Sequence, residues 1–161
     1  MNQTHIHLLI THLPIFGSIL GGLVLFHGIW KRSDQTKIAA YNLFILSSIG
    51  ACIAYFTGEG AEESVEDLQG VIKATIKLHE DFALFSLISL ILLGLASIVG
   101  LFLTVQKSPL TRRVAIAVLF ISLFSFGLIA RTGYLGGQIR HTEVGNNANA
   151  PSGNSEKDSD D

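Results

Sequence analysis

The chain has 161 residues, of which 48% are hydrophobic and 15% charged, and its formal net charge is −2. Soluble domains of this size keep about a quarter of their residues charged, so a mean hydropathy of +0.47 already points away from that class. The near-neutral balance speaks against a general nucleic-acid binder. The single cysteine, Cys52, excludes an internal disulfide framework and any multi-cysteine zinc or iron–sulfur centre.

The charges are also unevenly spread. No Asp, Glu, Lys or Arg occurs from Met1 to Trp30, from Ile38 to Gly58, from Phe82 to Gln106, or from Val114 to Ala130. A membrane-spanning helix needs roughly 20 mainly apolar residues at about 1.5 Å rise each. The runs therefore predict spans over 6–30, 38–57, 82–105 and 113–133. In a soluble chain this short, four such helices leave no amphipathic layer to cover them. The expected fold is an all-α, integral membrane four-helix bundle occupying residues 1–143, with the lipid bilayer as its first partner.

The connecting segments set an expected orientation. The first loop holds Lys31, Arg32 and Lys37 against Asp34, and the third holds Lys107, Arg112 and Arg113 with no acid. The second carries Glu59, Glu62, Glu63, Glu66, Asp67, Glu80 and Asp81 against Lys73 and Lys77. Short loops rich in Lys and Arg stay cytoplasmic, so both termini and the second loop are expected on the periplasmic side of a bacterial inner membrane. Trp30 and Tyr41 then mark the inner interface, Tyr55 and Tyr134 the outer one. The first apolar run has no basic flank before it and no small-residue cleavage motif, which fits an uncleaved anchor rather than a signal peptide.

Along the chain, Pro14 is expected to kink the first span or to mark its first turns. Gly17 to Gly21 forms a small-xxx-small pattern for close helix packing. Ser47, Ala51 and Ala54 make a similar face on the second span, with Cys52 beside them as a small buried filler. In the second loop, Ala61, Val65, Leu68, Ile72 and Ile76 recur at helical spacing and predict an amphipathic outer helix over 61–78. Residues 144–161 form an acidic tail without large apolar residues and are expected to be disordered. No internal repeat is evident at the level of motifs.

Six histidines carry most of the functional information: His5, His7, His12, His27, His79 and His141. Under the expected topology all but His27 lie at the outer ends of the first, third and fourth spans. Counting about 20 residues outward from each inner boundary puts His5, His79 and His141 at similar heights above the membrane. His12 and Arg131 fall just inside it. The same rim gathers Gly58-Glu59-Gly60, Glu80, and the run from Arg131 to His141. Arg131 so close to the apolar boundary calls for an anionic partner or a route to water.

His5-Ile-His7-Leu-Leu-Ile-Thr-His12-Leu-Pro14, a Thr57-Gly58 exit from the second span, a single His at the third and Gly136-Gly137 after the fourth together form a pattern. It resembles the DUF2231 family of predicted bacterial four-span membrane proteins, over about residues 5–141. The resemblance implies four spans; the family's name records an unknown function, so it implies little chemistry.

Three readings of the rim follow. In the first, His12 and His79 ligate a b-type haem and Arg131 or Arg140 holds its propionates, for electron transfer or redox sensing with a periplasmic or membrane partner. In the second, His5, His7, His79, Glu80 and His141 bind a zinc, copper or iron ion. In the third, these groups only fix the bundle by hydrogen bonding. No nucleophile motif, phosphate loop or His-Glu-x-x-His pattern supports a stand-alone enzyme, and the apolar mid-membrane sections do not suggest a transporter. The haem reading is the one adopted as the expectation.

Overall fold

The computed structural model describes residues 3–63 and 72–140. These form five helices: α1 (Gln3–Ile10), α2 (His12–Trp30), α3 (Asp34–Glu63), α4 (Lys73–Val105) and α5 (Thr111–Arg140). There is no strand among the described residues. Helices α1 and α2 belong to one run, Thr4–Trp30, and the other three helices supply Asp34–Glu62, Lys73–Val105 and Thr111–Ile139; all four are long and apolar enough to cross a membrane.

The break between α1 and α2 has an identifiable cause. Pro14 lacks an N–H and its ring crowds the carbonyl one turn back, that of Ile10. The regular ladder is interrupted at Thr11, whose N–H still reaches the His7 carbonyl at 3.0 Å. This short first helix packs on α3.

Helix α2 packs on α3, α3 on α4, α4 on α5, and α5 back on α2, closing an up-down-up-down ring. Leu25, Phe44, Leu90, Leu93 and Val118 fill its centre. The exterior is apolar too, with Leu20, Leu23, Phe26, Leu92, Phe102, Phe120 and Phe124 all exposed. Burial of serines inside an apolar shell is the expected arrangement in lipid, where close backbone packing replaces hydrophobic drive. Ser47, Ser97 and Thr104 are buried, and each hydroxyl donates to the carbonyl one turn back, at 2.8, 2.7 and 2.7 Å. Gly100 lets the Tyr41 ring in: a Cβ there would stand 2.6 Å from Tyr41 Cζ.

The two halves of the bundle repeat one another, which motif inspection did not detect. Both loops at one end read basic-Ser-x-x-Thr-basic: Arg32-Ser33-x-x-Thr36-Lys37 and Lys107-Ser108-x-x-Thr111-Arg112. Arg32 and Lys107 each take φ 53°, just beyond the helix-ending residues Lys31 and Gln106. The Arg32 and Lys107 amides bond Ile29 and Thr104, and the Ser33 and Ser108 amides bond Gly28 and Leu103. Both are Schellman ends, usually a glycine's place, here taken by two cations.

The helices run further than the expected spans at the opposite end. Residues 61–63 continue α3 and residues 73–78 open α4, so the expected amphipathic helix over 61–78 is divided between them; its middle, residues 64–71, lies outside the described residues, as does the expected tail.

Candidate functional site: a pair of anchored histidines

At the bundle end away from the basic loops, each half is tied by one histidine. On α1, His7 Nδ1 lies 2.8 Å from the Ala54 carbonyl of α3, and its ring rests against Gly58, where a Cβ would stand 3.5 Å from Cε1. On α4, His79 Nδ1 lies 3.0 Å from the Thr132 carbonyl of α5, and its ring rests against Gly136, where a Cβ would stand 3.1 Å from Cε1. In both cases the accepting carbonyl sits one helical turn before the glycine.

A carbonyl only accepts, so Nδ1 carries the proton in both rings. In the Nδ1–H tautomer that this bond selects, the lone pair is at Nε2. His7 and His79 lie at the same end of the bundle, one in each half. Thr132 is itself held: its hydroxyl donates to the Leu128 carbonyl at 3.0 Å, which leaves the Ser86 hydroxyl to donate to Thr132 Oγ1 at 2.8 Å. Sequence reasoning singled out His7, His79, Gly58 and Gly136, but missed Ala54, Ser86 and Thr132 as their supports.

The other expected site residues fall elsewhere on this end. His12 is exposed on α2, donates Nδ1–H to the Leu8 carbonyl of its own chain run at 2.8 Å, and stacks on Phe16 with ring centroids 6.3 Å apart. It faces outward, whereas His7 is half-buried against α3. His5 and Glu80 are exposed. Arg131 is exposed one residue before Thr132, its guanidinium 5.8 Å from the Phe82 ring and 5.4 Å from the Tyr134 ring. Arg140 closes α5, and His141 lies outside the described residues. His27 is exposed near the basic end.

Among the described residues, no group of three or more His, Cys, Asp or Glu side chains is placed to share a metal ion. Comparison with known protein families, curated proteins and solved structures finds no match to this chain.

Proposed function

We propose that this membrane protein binds a b-type haem at its histidine end, where His7 and His79 would hold the iron, and serves electron transfer or redox sensing. The carrying observation is the matched pair of rings, each anchored through Nδ1 with Nε2 left to bind. A porphyrin brings four nitrogens of its own, so two protein donors complete the iron. A bare zinc, copper or iron ion calls for three or four. Among the described residues no group of three is placed to hold one.

A haem held there supplies a one-electron couple. The chain's own residues do the rest. The Ala54 and Thr132 carbonyls keep the Nδ1 protons, fix the ring planes and make Nε2 the better donor, as supports of metal-binding imidazoles commonly do. Ser86 steadies Thr132. Arg131, at the same end, is the residue to meet a propionate, and Arg140 further along α5 is a second. Lys and Arg in the short loops support an orientation with the histidine end on the periplasmic side of a bacterial inner membrane, facing a periplasmic or membrane redox partner. His7 and His79 are both among the histidines of the pattern that resembles the DUF2231 family, and we carry that resemblance forward as part of the proposal.

A second reading has its own observation: both rings already make a hydrogen bond across their half of the bundle, which suffices for a latch without a cofactor. The visible spectrum of protein expressed with ample haem precursor and purified in mild detergent separates the two. A Soret band, with an α-band sharpening on dithionite reduction, supports the haem; a spectrum without visible bands leaves the latch.

A further inference from the structure

The opposite end of the bundle holds a cavity of about 480 Å³, lined by residues of both repeated loops. Arg32, Lys37, Lys107 and Arg112 all contribute, the equivalent cations of the two basic-Ser-x-x-Thr-basic turns, with Asp34 as the one acid. Lys37 is buried and bonded to Asp34 at 2.7 Å. Arg32, Lys107 and Arg112 have no acidic partner among the described residues. The first turns of α3 and α5 open onto the same cavity through Asp34 and Thr111, adding the positive ends of two helix dipoles. A pocket with this excess of positive charge suits a phosphate-bearing anion.

Its surroundings decide the source. Ile29 and Pro109 line the cavity beside the cations. Trp30 and Leu110, next to it in the chain, are exposed apolar residues where the spans end. Cations and exposed aromatic residues together mark headgroup depth in a bilayer. We propose that the cavity binds the phosphate headgroup of an anionic phospholipid, gripped by the two repeated turns as a pair. This is independent of the haem reading and of which membrane side the loops face.

The test is lipid binding to detergent-purified protein, followed by native mass spectrometry, with phosphatidylglycerol, phosphatidylcholine and inorganic phosphate as probes. The parent is expected to prefer phosphatidylglycerol over phosphatidylcholine. The triple variant Arg32→Gln/Lys107→Gln/Arg112→Gln should lose that affinity by at least about tenfold. A Lys31→Gln/Arg113→Gln variant, which removes exposed cations outside the cavity lining, should keep it. Helicity and elution volume of each variant identify any that misfold, and the single Lys107→Gln then serves in place of the triple. Equal binding by the cavity variant, or equal loss in the Lys31/Arg113 control, overturns the site. Displacement of phosphatidylglycerol by inorganic phosphate at matching concentration shows a soluble anion to be the ligand and overturns the lipid.

Discussion

His7 and His79 make the same bond on the two halves of the bundle: each gives its Nδ1 proton to a main-chain carbonyl one turn before the glycine beneath its ring. The halves also share their loop geometry at the far end, where Arg32 and Lys107 adopt the same φ. A helical hairpin with a basic turn at one end and a histidine tie at the other thus occurs twice, and its doubling places two imidazoles at the same end of the bundle.

The glycine seats make the first prediction. A Cβ at Gly136 would stand 3.1 Å from His79 Cε1 and 3.4 Å from Nδ1, while Gly137 has nothing within 4 Å. Gly136→Ala should push the ring off its carbonyl and lower haem content. Gly137→Ala should leave haem content intact and stabilise α5 by up to about 1 kcal/mol through helix propensity. Thermal unfolding in detergent, read beside the haem-to-protein ratio, checks both.

Ser86 and Thr132 make the second. Their buried hydroxyls are 2.8 Å apart, joining α4 to α5 directly beneath His79. A double-mutant cycle with Ser86→Ala and Thr132→Val should give a coupling of about 0.5–1.5 kcal/mol, the range for hydrogen bonds between helices in membranes. A coupling of zero would remove this bond from the support of His79.

Close helix packing makes the third. Gly100→Ala would place a methyl 2.6 Å from Tyr41 Cζ, and both residues are buried. The ring cannot withdraw without opening the contact between α3 and α4, so a loss of about 1–3 kcal/mol is expected from overpacking. Denaturant titration in mixed micelles measures it; an unchanged midpoint would mean that the ring has room to turn.

Topology makes the fourth. The proposed orientation has the basic loops in the cytoplasm, as the positive-inside rule expects. A reporter that works only in the periplasm, fused after Arg140, should be active, and one fused in the first loop after Asp34 should be silent. The reverse pattern would turn the histidine end inward.

The four spans were legible because charge is absent from four runs of sufficient length, a signal that depends on composition alone. Their outer limits were not. The expected spans stopped at Thr57 and Gly133, yet α3 runs to Glu63 and α5 to Arg140, because hydropathy marks the thickness of the bilayer and not the end of a helix. At the histidine end, depth along the span and direction around it give different answers. His12 sits deeper in the apolar run than His7, but it shares the outward stripe of Leu13, Phe16, Leu20 and Leu23. The inward stripe of Pro14, Gly17, Ser18 and Gly21, carried back by seven residues from Pro14, arrives at His7. That phase was readable in the sequence. The supports at Ala54 and Thr132 were not, since a backbone carbonyl has no residue-type signature. The repeated basic turns were visible as text, but their shared φ and common cavity required the fold.

The central claim is tested most directly by haem content after single histidine replacements. His7→Ala and His79→Ala, expressed and purified like the parent protein, should each lose the reduced α-band, while His12→Ala and His27→Ala should retain it at the parental haem-to-protein ratio. Retention of the full spectrum by His79→Ala would contradict the account, because no haem ligated by the His7–His79 pair survives the removal of either ring.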